Sequence, residues 1–214
     1  MNNTAESMSL FELFSMGGIF MWPLLLFSIL TISLSLERII FIFFRCNLQV
    51  NDLKEEAQRL LSENDFNGAR RFLKKRRKKS MGARVLYTLF EHPNLSEHRL
   101  EKTAETEALT CINTLENGFD LLAALGSLAP ITGFLGTVSG MIGAFKSIAE
   151  ATDVNAQIVA NGIYEALITT VFGLIIAIIA MVSSSLLSHV VDRFANNIET
   201  SCSEIIADLV SNET

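Results

Sequence analysis

The chain has 214 residues, half of them apolar and 19% charged, with a formal net charge of −6. Soluble domains carry about 25% charged residues, and the deficit here is concentrated. Leu13–Leu36 and Leu121–Phe145 hold no charged residue, and Ala166–Val191 has only His189 as a titratable group. Each window reaches the roughly 20 apolar residues that a membrane-crossing helix needs. A buried helix of a soluble core is usually shorter and keeps a polar face. The composition therefore predicts an all-α membrane protein with three transmembrane helices and excludes a soluble domain.

Residues 1–16 form an N-terminal segment with Glu6 and Glu12 and no Lys or Arg. A cleavable signal peptide opens on positive charge and has a shorter apolar run, so residues 17–44 read as a retained first transmembrane helix. It contains Pro23 and ends in the inner-interface charges Glu37 and Arg38, where Arg38 can snorkel toward the headgroups. Residues 45–117 follow as a helical region with a basic cluster. Within it, 52–79 reads as a small helical insert with turns at Asn64-Asp65 and Asn67-Gly68, and His92-Pro93-Asn94 reads as a break. Ser96 is a candidate N-cap for a long helix with Glu97 in its first turn, along which Leu100, Ala104, Leu109, Ile112 and Leu115 recur. This pattern runs into the second transmembrane helix, 118–146, with Asn117-Gly118 as the kink. A short loop, 147–160, leads to the third, 161–188. The tail, 189–214, carries an apolar stripe of Val190, Phe194, Ile198, Cys202, Ile205, Ile206 and Leu209, read as helix packing. The second and third helices are thus predicted to extend into the cytoplasm.

Orientation follows from charge. Fourteen of the 17 Lys and Arg lie between Arg45 and Lys102, and basic residues flanking membrane spans stay in the cytoplasm. The N-terminus and the 147–160 loop are then periplasmic, and 45–117 and the C-terminus cytoplasmic. The run Lys74-Lys75-Arg76-Arg77-Lys78-Lys79 suits nucleic acid or anionic lipid. With no interleaved aromatic residue, it favours membrane lipid over nucleic acid. Cys46, Cys111 and Cys202 lack paired spacing for zinc or redox work, and His92, His98 and His189 are scattered. No metal, cofactor or catalytic constellation emerges, and the chain does not read as an enzyme.

The chemistry is intramembrane. Gly126, Pro130, Gly133, Thr137, Gly140 and Ala144 share one face of the second helix, with Gly136 and Gly143 on a neighbouring row. Ala166, Thr170, Gly173, Ala177, Ala180 and Ser184 repeat the device on the third. Small residues at this spacing let helix backbones approach closely, either within one subunit or around a narrow lumen in an oligomer. Glu165 lies just inside the third helix, where an ionised group costs a few kcal/mol unless it faces a cavity or a partner. Thr169 lies one turn further on, Thr170 is adjacent, and Thr137 supplies a hydroxyl from the second helix. Together they suit a proton path. A solvated Glu165 at the outer interface is the plainer alternative.

Three segments resemble the MotA/TolQ/ExbB proton-channel family, nearest its ExbB and TolQ types: Gly17–Arg38 with its Met-Trp-Pro and terminal Glu-Arg, Ala129–Phe145 (APITGFLGTVSGMIGAF), and Asn161–Ala180 (NGIYEALITTVFGLIIAIIA). They cover about a third of the chain. The resemblance implies a homo-oligomer, a pentamer, around the helices of an ExbD- or TolR-like single-helix partner bearing an Asp. Such a complex in the bacterial inner membrane uses the proton motive force to drive TonB-dependent transport. The alternatives are a TolQ-type role in envelope maintenance with a TolA-like protein, and a non-conducting membrane scaffold. The resemblance implies that Thr137, Glu165 and Thr170 line the pore and that Pro130 shapes the second helix. Asn161 and Ile179 depart from the family pattern, which more often has Gly and Pro there. The second departure implies a straighter third helix. The region 45–117 is short for a flagellar stator.

Overall fold

A computed structural model describes Phe14 and residues 17–46, 48–91, 95–150 and 156–212, but not the side chains of Phe44, Arg45, Ala156, Ile158, Val159, Asn161 and Asn212. The expected break at His92-Pro93-Asn94 lies outside these residues, as do the acidic N-terminal segment and the centre of the 147–160 loop. Among the described residues the regular elements are helical. They run α1 (Met21–Ile40), a single π turn (Phe41–Arg45), α2 (Asn51–Ser62), α3 (Phe66–Arg76), α4 (Met81–Glu91), α5 (Glu97–Glu116), α6 (Phe119–Glu150) and α7 (Ala156–Asn212). Three helical stretches are long and apolar enough to cross a membrane: Met21–Phe43, part of Glu97–Glu150 and part of Gly162–Ser211. The all-α, three-span expectation therefore holds. At 57 residues and 1.5 Å per residue, α7 is about 85 Å long, well beyond a hydrocarbon core of about 30 Å.

The chain forms two compact units, one from the described residues of Met1–Ser35 and Asp120–Ser184, the other from Leu36–Phe119 and the described residues of Ser185–Thr214. In the first unit, Pro23 sits in the opening turn of α1, where its missing N–H costs no intrahelical bond. Met21 and Leu24 of α1 are fully buried with Ala129 of α6 and with Ile168 and Ile176 of α7, flanked by Phe14, Phe27 and Phe172. The opposite faces stay apolar and exposed: Leu26 and Ile29 on α1, Ile131 and Phe134 on α6, Ile175 and Ile178 on α7. A soluble unit could not afford that surface, and a lipid-facing one requires it.

The second unit is a bundle with a conventional core. Leu53, Leu61, Leu73, Leu86, Leu89, Phe90, Leu115, Phe194, Ile198 and Ile205 are buried in it, so the tail stripe read as packing is a core face. On α5 the buried positions are Leu100, Ala104, Ala108, Cys111 and Leu115. Leu109, expected on that stripe, is exposed, because steps of four, four, three and four select Ala108 and Cys111 instead. The insert also differs locally. The chain reverses at Glu63–Asp65, with Asn64 at φ 58°. Asp65 caps α3 by accepting the Gly68 N–H at 2.8 Å, so Asn67-Gly68 lies inside the first helical turn. Ser96 precedes α5 as expected, but its hydroxyl makes no cap bond. The Asn117-Gly118 kink is present as a full break between α5 and α6, made by Gly118 at φ 89°. Arg38 serves that break. Its Nη1 donates to the Thr114 carbonyl at 3.4 Å, one of the orphan acceptors at the end of α5. It also pairs with Glu37 at 2.7 Å and lies over the Phe41 ring. Arg38 is thus held by protein groups.

Candidate functional site

The second and third spans meet backbone to backbone within one chain. A Cβ on Gly173 would lie 2.6 Å from the Ala129 carbonyl oxygen and 3.2 Å from Gly133 Cα; one on Gly133 would lie 2.8 Å from the Thr169 carbonyl oxygen. A Cβ on Gly140 would lie 2.9 Å from Ala166 Cβ and 3.0 Å from the Gly162 carbonyl oxygen, and one on Gly136 would lie 2.7 Å from Thr169 Cβ. A side chain fits at none of these positions. Gly143, expected in the same set, has nothing within 4 Å of where its Cβ would be. Of the two readings of the small-residue faces, this geometry is packing between α6 and α7 of the same subunit. Pro130 lies inside α6, one turn before Gly133, and lacks the N–H that would bond Gly126.

Three threonine hydroxyls converge at this seam. Thr137 donates to the Gly133 carbonyl at 3.2 Å, Thr169 to the same oxygen at 3.1 Å and Thr170 at 3.2 Å. Thr169 also donates to the Ala166 carbonyl at 2.8 Å. The Thr137 and Thr170 hydroxyls, from α6 and α7, bond each other. Each hydroxyl has one proton to give and two lone pairs to accept. A cluster with more acceptors than protons can rearrange its bonds without breaking contact. Thr169 is buried; Thr137 and Thr170 are half-buried.

Glu165, one turn before Thr169 on α7, is half-buried. Among the described residues it has no hydrogen-bond or ion-pair partner, in contrast to the paired carboxylates of the second unit. Its carboxylate lies directly against Gly18 in the turn that precedes α1, where a Cβ would overlap Oε1. Gly18 has φ 64°, a conformation L side chains rarely adopt. The sequence reading did not single out Gly18. The pair Gly17-Gly18 immediately before an apolar helix is the signal that could have found it. The seam thus brings Thr137, Thr169 and Thr170 together, with Glu165 a helical turn away and covered by the first span. Glu37 and Arg38 belong to the other unit. Among the described residues no group of three or more His, Cys, Asp or Glu could hold a metal. The site places one carboxylate, Glu165, a helical turn from three hydrogen-bonded hydroxyls.

Similarity to known proteins is consistent with this chemistry. The profile of the MotA/TolQ/ExbB proton channel family matches residues 65–200. A putative biopolymer transport protein ExbB-like 1 of Synechocystis sp. is 35% identical over 196 residues, covering 87% of this chain and 75% of that one. The biopolymer transport protein exbB1 of Vibrio cholerae serotype O1 is 28% identical over 89% of this chain and 84% of its own. The Tol-Pal system protein TolQ of Haemophilus influenzae is 31% identical over 75% and 77% respectively. With three helices apolar and long enough to cross a membrane and a profile match over residues 65–200, this chain belongs to the MotA/TolQ/ExbB proton channel family.

Proposed function

We propose that the chain is the ExbB-type proton-channel subunit of an inner-membrane energy-transducing complex, which uses the proton motive force to drive TonB-dependent transport across the outer membrane. The observation that carries this reading is Glu165, an ionisable side chain in an apolar span with no partner among the described residues. Intramembrane carboxylates of this kind mark ion paths. A homo-oligomer, a pentamer, encloses the helix of an ExbD- or TolR-like partner whose Asp exchanges protons with Glu165 and the Thr137–Thr170 hydroxyls. Each proton crossing 100 mV releases about 2.3 kcal/mol. The positive-inside bias supports a periplasmic N-terminus, a cytoplasmic 45–117 region and a cytoplasmic C-terminus.

The TolQ relative supports a second reading, envelope maintenance with a TolA-like protein. Complementation separates the two. The chain, co-expressed with its one-helix partner, is supplied to cells lacking either system. The ExbB reading expects restored, proton-motive-force-dependent uptake of a TonB-dependent substrate. Restored detergent resistance without uptake would favour TolQ. Assembly with the partner but rescue of neither would leave a non-conducting scaffold.

A further inference from the structure

The basic run at the end of α3 is not used by the proton path. All six of Lys74, Lys75, Arg76, Arg77, Lys78 and Lys79 are exposed, and none has an ion-pair partner among the described residues. Arg76 and Arg77 lie over the rings of Phe72 and Tyr87. Lys78 and Lys79 instead line a cleft of 1120 Å³ whose other wall is the end of the first apolar span, Ile42 and Phe43. Phe43 is 63% exposed. Gln49, Asn51 and Asp52 complete the polar side. The cleft is larger than the roughly 300–1,000 Å³ of ordinary small-molecule pockets. Asp52 is the one acidic group among the described residues that line it. Glu56, on the adjoining surface, is already answered by Arg59 at 2.7 Å, which holds its carboxyl below the usual carboxylate range.

We infer that this cleft is a binding site for an anionic phospholipid, with the phosphate on Lys78 and Lys79 and the acyl chains running along Phe43 toward the apolar face of α1. The argument is the juxtaposition of two surfaces. Unpaired cations alone would take any polyanion, and an exposed phenylalanine alone would take any lipid. One cleft that joins both at the level where the apolar span ends fits a molecule that is anionic at one end and apolar at the other. A Lys or Arg near an anionic surface is worth about 1 kcal/mol, or roughly fivefold in affinity.

The test uses the purified full chain in detergent, titrated with phosphatidylglycerol and with phosphatidylcholine of identical acyl chains, with binding read by native mass spectrometry. Phosphatidylglycerol is expected to bind at least tenfold more tightly. The double variant Lys78→Gln/Lys79→Gln should lose that preference, by about 25-fold for two cations. Lys74→Gln/Lys75→Gln, which removes the same charge outside the cleft, should keep it. Phe43→Ser should weaken both lipids. Equal loss in the two double variants would show a diffuse charge effect and overturn the proposal. Competition by inorganic phosphate at matched concentration, or tighter binding of a short RNA than of phosphatidylglycerol, would also overturn it. None of these outcomes depends on whether Glu165 conducts.

Discussion

Gly18 lies against the Glu165 carboxylate, so the turn that opens the first span covers a carboxylate near the start of the third. The contact is possible only because residue 18 has no side chain and accepts φ 64°. Gly18→Ala should therefore displace Glu165 while leaving the α6–α7 seam intact. Proton-motive-force-dependent activity is expected to fall several-fold with unchanged assembly. Full activity would mean that the turn does not position the carboxylate.

The glycines should divide by the space around them. Gly173→Ala drives a methyl into the backbone of Ala129 and Gly133, and overpacking of this kind costs about 1–3 kcal/mol. Thermal unfolding in detergent should show the loss. Gly143→Ala meets nothing within 4 Å and should be neutral in the same assay. Gly143→Leu tests the proposed oligomer. A normal fold with lost assembly would put Gly143 at a subunit contact, and normal assembly would remove it from one.

The threonines share one carbonyl, so their effects should not add. Side-chain hydrogen bonds between spans are worth about 0.6 kcal/mol on average and at most about 1.7. Thr137→Ala and Thr170→Ala should each weaken function modestly. A double-mutant cycle on unfolding should give a coupling of at least about 0.5 kcal/mol. Strict additivity would contradict the bond between them.

Cys111 and Cys202 are buried and would resist labelling on either side, and Cys46 is half-buried, so topology is read from engineered thiols in a variant with Cys46 replaced by Ser. Lys146 and Glu101 are exposed. In intact cells an impermeant maleimide should label Lys146→Cys and reach Glu101→Cys only after permeabilisation. The reverse pattern would invert the orientation.

Much of this was legible from residue order, for reasons that differ by element. The spans could be read because charge is excluded from hydrocarbon over some 20 residues, a signal that needs no partner. The break at Asn117-Gly118 was visible as a dipeptide suited to positive φ. Leu109 was misassigned because composition along α5 offers two overlapping stripes, and only packing against neighbouring helices decides between them. Asn67-Gly68 looked like a turn because the Asp65 cap that draws Gly68 into α3 is a matter of geometry. The small-residue faces announced close approach but not to what. The structure pairs Gly133 with Gly173 inside one chain and leaves Gly143 open. The contact of Gly18 with Glu165 joins residues 147 positions apart, and no local pattern encodes it.

The most direct test is Glu165→Gln, measured for proton-motive-force-dependent activity in cells alongside co-purification of the one-helix partner. The substitution keeps shape and removes the titrating group. Intact oligomer and partner binding with activity abolished is the expected result. Full activity would contradict the central claim and leave the partner's carboxylate as the sole proton carrier, while loss of assembly together with activity would make Glu165 a structural residue.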